Sequence, residues 1–255
     1  MILITGDTHG TWDIDKFRYT TKLLTPMDPE KPNYMIIAGD FGMIWNESYA
    51  PHQINTKDEA SIRRVYEKKP WITLWVDGNH ENFDVIDSLP VTEKWGGKVH
   101  EITPYCYHLL RGEVYEIDGV KFLALGGGLS VDKGHRREGV SWWPQEEMTE
   151  DQVENAKANL AKHNNEVDFV VSHACPAHVL PEFEAQLPAW DLQYWGPKRE
   201  DKTCARMTEA TKDAKYKSWY FGHYHEERIY RDNVTGVKYY MLYQGVMECR
   251  EAKGV

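Results

Sequence analysis

Cysteine is scarce in this chain, and its spacing gives no sign of a disulfide framework. The 255 residues include 4 cysteines, and no two of them form a CxxC pair: Cys106, Cys175, Cys204 and Cys249. Widely spaced cysteines are typical of reduced thiols in a reducing compartment. The residue six positions after Cys175 is Pro181, so the cysteine-to-arginine spacing of a thiolate phosphatase is also missing.

Long apolar runs and an excess of positive charge are absent as well. No stretch of about 18 apolar residues occurs, and residues 1–5 lead into a polar motif instead of a cleavable signal. We therefore expect no membrane association and a cytoplasmic protein. The net charge of -10 provides no broad basic surface, so nucleic acid is a disfavoured partner and an anionic substrate must be attracted locally. The sequence leaves any oligomeric partner undefined.

The chain does contain short apolar runs with β-branched residues, which predict buried strands over 2–5, 34–38, 71–76 and 167–171. Helices are predicted between and after them, over 13–24, 56–69, 149–163 and 199–212. The third of these begins with a capping box, because Gln152 follows Thr149 by three residues. This alternation of strands and helices indicates an α/β fold.

Antiparallel strands are predicted in the middle and at the end of the chain. Asp118 and Gly119 suit a type I′ turn between strands over 113–117 and 120–125. Further strands are predicted over 219–221, 227–230 and 237–243. We expect two packed mixed β-sheets flanked by helices, in one domain spanning 1–255. The loops 126–148 and 176–213 are candidate lids or substrate-binding segments.

Five polar clusters follow the predicted strands: Asp7-Thr8-His9, Gly39-Asp40, Gly78-Asn79-His80-Glu81, Ser172-His173 and Gly222-His223-Tyr224-His225. Loops at the carboxyl ends of strands converge in open α/β sheets. Each cluster alone has an ordinary structural explanation, such as a turn or a hydrogen-bonded interior histidine. Together their nitrogen and oxygen donors indicate a site for divalent first-row metals, and hence metal-assisted hydrolysis.

The order of these clusters resembles that of the calcineurin-like metallophosphoesterases. The family's D-x-H, G-D, G-N-H-[D/E], H and G-H-x-H motifs match Asp7/His9, Asp40, Asn79/His80/Glu81, His173 and His223/His225. The resemblance implies a β-sandwich flanked by helices and a dinuclear metal centre. It implies that one ion is held by Asp7, His9 and His225, that the other is held by Asn79, His173 and His223, and that Asp40 bridges both. It also places His80 outside the metal ligands, close to the substrate.

Two divalent ions would polarise a phosphoryl oxygen and generate hydroxide for in-line attack on phosphorus. Manganese is the favoured metal, with iron, zinc and nickel as alternatives. His80 is the candidate for donating a proton or a hydrogen bond to the leaving oxygen, and its alternative role is to support the metal ligands. Either Glu81 or Asp84 could orient its ring.

A basic segment follows the predicted hairpin. Its three glycines, Gly126 to Gly128, match neither nucleotide-binding spacing. Its four basic side chains either clamp phosphate oxygens or belong to a solvated loop: Lys133, His135, Arg136 and Arg137.

The substrate class rests on one departure from the family. The protein phosphatase branch carries Asp-Arg-Gly shortly after its bridging aspartate, where this chain has the residues of 41–45, Phe-Gly-Met-Ile-Trp. We therefore expect a phosphoesterase that acts on a small phosphorylated metabolite or nucleotide. The alternatives are a phosphodiesterase or nuclease, and a non-catalytic interaction scaffold on the same fold.

Overall fold

The structure is a computed structural model that describes residues 1–18, 20, 32–44, 63–186 and 201–249. Its strands, in chain order, are β1 (Ile2–Thr5), β2 (Tyr34–Ala38), β3 (Ile72–Val76), β4 (Val91–Lys94), β5 (Gly97–Thr103), β6 (Cys106–Leu109), β7 (Val114–Ile117), β8 (Val120–Leu125), β9 (Phe169–Ser172), β10 (Ser218–Phe221), β11 (Arg228–Arg231), β12 (Lys238–Met241) and β13 (Val246–Glu248). Its α-helices are α1 (Phe83–Ile86), α2 (Glu150–Lys162), α3 (Leu180–Glu184) and α4 (Lys202–Thr211).

The strands form two mixed sheets. The first is seven-stranded in the order β13-β1-β2-β3-β6-β5-β4, and the second is six-stranded in the order β11-β12-β10-β9-β8-β7. In the first sheet β1, β2, β3 and β6 are parallel neighbours, and β13, β5 and β4 add antiparallel edges. In the second sheet β8, β9, β10 and β12 are parallel neighbours, flanked by antiparallel β7 and β11.

The two sheets bury an apolar layer between them. Side chains of β1 alternate between the faces of its sheet, so Ile4 packs in the layer between the sheets while Leu3 packs on the outer face. Leu74 of the first sheet and Phe122 and Val171 of the second continue this layer. Because both faces of the parallel strands are covered, their sequences are apolar runs instead of alternating patterns.

Helical segments cover both outer faces. Leu160 of α2 and Met207 of α4 pack on the outer face of the second sheet. Phe17 and Tyr66, the latter in a helical stretch over 63–67, pack with Trp75 on the outer face of the first sheet. The predicted fold class, two packed mixed sheets flanked by helices, is therefore confirmed.

Local sequence signals account for several of these elements. Thr149 and Gln152 form the predicted capping box at the start of α2. Asp118 and Gly119 adopt φ angles of 52° and 78°, as a type I′ turn between β7 and β8 requires. Asp201 caps α4 by accepting hydrogen bonds from the backbone amides of Thr203 and Cys204. Of the predicted helices over 13–24 and 56–69, residues 19, 21–24 and 56–62 lie outside the described residues.

Four strands were not predicted from the sequence: β4, β5, β6 and β13. The side chains of β4, for example, are largely exposed and include no apolar residue after Val91, so no hydrophobic pattern marks it. Its pairing with β5 supplies the hydrogen bonds instead. Within the described ranges, no helix combines the length and apolar character needed to cross a membrane.

Candidate metal centre

The carboxyl ends of the parallel strands place the predicted ligands at one edge of the two sheets. In the first sheet, the ligands follow β1, β2 and β3: Asp7, His9, Asp40 and Asn79. In the second sheet they follow β9 and β10: His173, His223 and His225. Parallel neighbours end at the same edge, so side chains far apart in sequence meet there.

One group of donor atoms is formed by Asp7, His9, Asp40 and His225, whose ligand atoms all lie within 4.8 Å of one another. His9 Nε2 is 3.2 Å from Asp40 Oδ2, and His225 Nε2 is 3.7 Å from Asp7 Oδ1. The other nitrogen of His9 lies 2.8 Å from Asp13 Oδ2. Such a carboxylate fixes the ring of a metal-ligating histidine, and Asp13 is a supporting residue that the sequence analysis missed.

A second group of donor atoms lies on the other side of Asp40. His173 Nε2 is 3.2 Å from Asp40 Oδ1, 3.1 Å from Asn79 Oδ1 and 3.2 Å from His223 Nδ1. His173 Nδ1 donates to the Ala38 carbonyl at 2.9 Å, which turns Nε2 toward the group. Asp40 thus directs one carboxylate oxygen to each group of donors.

The charges of this site fit divalent cations. Asp7 and Asp40 are buried carboxylates, and His9 and His173 lie beside Asp40. Burial opposes protonation of His9 and His173, yet the hydrogen bond and charge of Asp40 raise the pKa of His9 to about 9 and that of His173 to about 10. Burial and the charge of His173 lower the pKa of His223 well below its usual value. Protons therefore occupy nitrogen atoms that metal ions would take.

Positive φ angles recur among these candidate ligands. The described non-glycine residues with a positive φ include His9 at 43°, Asp40 at 48°, His223 at 73° and His225 at 53°. Such conformations cost roughly 1–3 kcal/mol each and persist where surrounding structure enforces them. A Cβ atom at Gly78 would lie 2.1 Å from Asp40 Oδ1, so only glycine permits this approach of the two loops.

Glu81 supports the loop that carries Asp40. Its carboxylate accepts hydrogen bonds from the backbone amides of Phe41 at 2.7 Å and Gly42 at 3.1 Å. Glu81 is buried, and these two amides are hydrogen-bond donors to its carboxylate. Its role is therefore to fix the backbone of the site.

A narrow cleft borders the two groups of donors. Its volume is about 30 Å³, and it is lined by Asp40, Asn79, His80, Leu129, Val131, Asp132, Arg136, His223 and His225. The Arg136 guanidinium lies 3.0 Å from His80 Nε2 and 2.8 Å from the Asp132 carboxylate. Burial lowers the pKa of His80, and because arginine only donates, Nε2 accepts from it. Arg136, and neither Glu81 nor Asp84, thus contacts this ring.

The other basic side chains of the segment point elsewhere. Lys133 lies 3.5 Å from a Glu147 carboxylate oxygen and 5.6 Å from the centre of the Trp142 ring. His135 and Arg137 are exposed and do not line the cleft. Of the four basic residues predicted to bind substrate, the described structure brings Arg136 alone into the cleft.

A buried ion pair lies behind the Asn79 loop and was not predicted. Arg111 Nε donates to Asp77 Oδ2 at 2.8 Å, and His108 Nε2 lies 3.2 Å from Asp77 Oδ1. Burial acts to raise the pKa of Asp77, but the charge of Arg111 holds it below its usual range. No motif marks these residues, because the contact joins parts of the chain 34 positions apart.

Loading the metal-free protein with Mn²⁺ near neutral pH is expected to release about two protons per chain. His9 and His173, with pKa values of about 9 and about 10, are protonated at that pH and must be neutral to ligate. The affinity for metal should rise as pH increases toward these values. Calorimetric titrations in two buffers of different ionisation enthalpy would give the number of protons released per chain. Release of no protons would contradict the protonation of His9 and His173 in the metal-free protein.

Comparison with known proteins gives a consistent result. The family model described as calcineurin-like phosphoesterase matches residues 1–227. A lariat debranching enzyme from Caenorhabditis briggsae is 24% identical over 203 residues, which are 71% of this chain and 37% of the relative. One from Gallus gallus is 26% identical over 140 residues, which are 52% of this chain and 24% of the relative. The chain thus spans well under half the length of these curated relatives.

Two solved structures are also similar. The phosphopantetheinyl hydrolase from Mycobacterium tuberculosis has a TM-score of 0.43 and 16% identity, over 95% of this chain and 89% of that one. A putative 5′-nucleotidase from Staphylococcus aureus, in complex with α-ketoglutarate, has a TM-score of 0.47 and 15% identity, over 96% of this chain and 49% of that one.

Proposed function

This chain belongs to the calcineurin-like phosphoesterase family, and from that premise we propose that it is a metal-dependent phosphoric ester hydrolase that acts on a small phosphorylated metabolite or nucleotide. One observation carries the proposal. The two oxygens of Asp40 face two separate groups of nitrogen and oxygen donors, 3.2 Å from His9 Nε2 on one side and 3.2 Å from His173 Nε2 on the other.

We assign the ligands accordingly. Asp7, His9 and His225 would hold one ion, Asn79, His173 and His223 would hold the other, and Asp40 would offer one carboxylate oxygen to each. When bound, two divalent ions supply Lewis acidity to a water molecule and to a phosphoryl oxygen. The mixed donors favour manganese, with iron, zinc and nickel as alternatives.

His80 and Arg136 supply the remaining chemistry. In the structure Arg136 donates to His80 Nε2. A substrate phosphate that accepts from Arg136 would take over this donor and leave the imidazole beside the ester oxygen. Once released from Arg136, His80 Nε2 can take up a proton from solvent and donate it to the leaving oxygen. Lys133, His135 and Arg137 lie outside the cleft, so we narrow the proposed phosphate clamp to Arg136.

The cleft lies beside the two groups of donors. Its volume of about 30 Å³ is roughly that of one water molecule, so most of any bound substrate would lie outside it. The loop over 126–148 contributes Leu129, Val131, Asp132 and Arg136 to the lining, which supports its role in substrate choice.

A phosphodiester is the second candidate substrate. The matched relatives are named lariat debranching enzymes, which favours a phosphodiesterase over a non-catalytic interaction scaffold.

The proposed cytoplasmic location is supported by the four cysteines, which are free and buried.

The test compares hydrolysis of a monoester and a diester chromogenic substrate by the Mn²⁺-loaded protein, with Arg136→Ala and Arg137→Ala as a matched pair. Arg136→Ala is expected to lower kcat/KM for the monoester by roughly 10²-fold, because it removes a charged donor from the phosphate. Arg137→Ala, an exposed neighbour of equal charge, should change it little. Equal effects of the two substitutions would contradict the clamp. Faster cleavage of the diester would move the assignment to a phosphodiesterase.

A further inference from the structure

The side chain of Asn79 can face the metal site in two ways, and only one of them permits ligation. An amide has an oxygen that can ligate a cation on one branch and an NH₂ group that cannot on the other. In the structure Oδ1 lies 3.1 Å from His173 Nε2, and Nδ2 donates to Ser130 Oγ at 3.2 Å. When His173 Nε2 carries no proton, the partner of the NH₂ group decides which atom of Asn79 faces the site.

The Ser130 hydroxyl is that partner, and Glu146 determines whether it donates or accepts. Ser130 Oγ lies 2.6 Å from Glu146 Oε2, and the Ser130 backbone amide donates to Glu146 Oε1 at 2.8 Å. Relative exposure is 1% for Ser130 and 0% for Glu146, which keeps bulk water from competing. Burial raises the pKa of Glu146, but the two hydrogen bonds from Ser130 oppose that rise and favour the carboxylate. A carboxylate only accepts, so the hydroxyl proton points to Glu146 and a lone pair of the Ser130 oxygen remains for Asn79. The NH₂ branch of Asn79 must then face Ser130, and the oxygen must face the metal site.

Arg111 binds the backbone near both ends of this row of hydrogen bonds, which runs from Asn79 through Ser130 to Glu146. Its guanidinium donates to the carbonyls of Gln145 at 3.0 Å and Glu146 at 3.2 Å, in the short 3₁₀ turn Pro144–Glu146. The same guanidinium binds the carboxylate of Asp77, two residues before Asn79. The distance between the turn and the Asn79 loop is therefore set by one buried side chain.

We propose that Ser130 and Glu146 are positioning residues that orient the Asn79 amide, and that they thereby set the affinity of the metal site formed with Asp40, His173 and His223. This inference rests on the proposed function, because it takes Asn79 as a ligand. Residues that orient metal ligands typically change metal affinity by about 10- to 100-fold when substituted.

Glu146→Gln tests the relay. The glutamine NH₂ can donate to Ser130 Oγ, so the hydroxyl becomes free to donate to Asn79 Oδ1 and the amide turns its NH₂ group toward the metal site. With Mn²⁺ alone as the probe, we expect one of the two binding steps, the one at the site that contains Asn79, to lose roughly 10- to 100-fold in affinity. Calorimetric titration and metal analysis after gel filtration would measure this. Glu147→Gln, the same change one residue on at a side chain paired with Lys133, should leave both steps unchanged.

Repeating Glu146→Gln in a protein that also carries Asn79→Asp shows whether Glu146 acts by orienting the Asn79 side chain or by stabilising the metal site in general. A carboxylate presents oxygen on both branches, so its orientation no longer matters, and Ser130 can donate to it once the amide introduced by Glu146→Gln donates to Ser130. Glu146→Gln should therefore be neutral or favourable for Mn²⁺ affinity in the Asn79→Asp protein, while it weakens binding in the wild type. Such non-additivity is the signature of a direct coupling.

The possible outcomes are distinct. An equal loss of affinity in both backgrounds, or no loss in the wild-type background, would overturn the relay. Ser130→Ala removes the hydroxyl with little change in volume, and it should weaken Mn²⁺ binding at the same site. It provides a second test of the relay in case the Glu146→Gln protein does not fold. Wild-type protein that binds no Mn²⁺ would instead overturn the proposed function.

Discussion

Asp40→Asn is expected to abolish retention of both metal ions and to lower hydrolysis by more than about 10³-fold. Asp40 directs Oδ1 to the His173 group and Oδ2 to the His9 group, at 3.2 Å in each case. Asparagine has one oxygen, so its NH₂ group would face one of the two cations. The substitution also removes the negative charge that offsets them. Asparagine tolerates the positive φ of 48° at this position, so the backbone should keep its conformation.

Metal content measured by emission spectrometry after gel filtration would check this result. Asp118→Asn is the matched control, because it makes the same change at a left-handed φ of 52° in the β7–β8 turn, away from the site.

His80→Ala is expected to behave differently from Asp40→Asn. It should retain both metals and slow turnover by roughly 10²- to 10⁴-fold, the usual contribution of general acid–base catalysis. Full metal retention by Asp40→Asn, or equal behaviour of the Asp40 and His80 variants, would refute the ligand assignment.

Asp77→Ala is expected to lower the free energy of unfolding by about 3–5 kcal/mol, because it leaves the Arg111 guanidinium buried without its counter-charge. Both side chains are nearly inaccessible, with relative side-chain exposures of 2% for Asp77 and 5% for Arg111. His108 would lose its acceptor as well. Since Asp77 precedes the Asn79 loop, the variant should also bind metal more weakly.

Urea unfolding monitored by tryptophan fluorescence would measure the loss. Lys217→Ala removes an ion pair of 2.7 Å with Asp168 at a lysine that is 54% exposed. Solvent screens such a pair, so this control should change the free energy of unfolding by no more than about 1 kcal/mol. A similar loss in the two variants would show that burial does not govern the strength of the Asp77 pair.

The main strands and the ligand motifs could be predicted because their signals are local. The run over 34–38 is apolar because both faces of β2 are covered, and the hairpin turn at Asp118 and Gly119 needs residues that accept a positive φ. Each signal is contained within a few consecutive residues. The edge strand β4 lacked such a signal, since its side chains are largely exposed and its partner β5 supplies the pairing.

Supporting residues escaped prediction because their contacts span the sequence. Asn79 and Ser130 are 51 positions apart, and Asp77 and Arg111 are 34 apart. No local pattern reports such distances. Even Asp13, four residues after His9, could be recognised only once the ring of His9 was oriented. Among the basic residues of 133–137, the side-chain direction that brings Arg136 into the cleft depends on Asp132 and His80, which hold its guanidinium.

The sequence by itself determined the fold class and the candidate metal ligands, because apolar runs and the polar clusters that end them are properties of neighbouring residues. Only the tertiary structure decided how those ligands divide into two groups around Asp40, which basic side chain enters the cleft, and how the Asn79 amide is oriented. These features depend on parallel strands that bring distant loops within hydrogen-bonding distance, and on buried partners whose positions are set by packing.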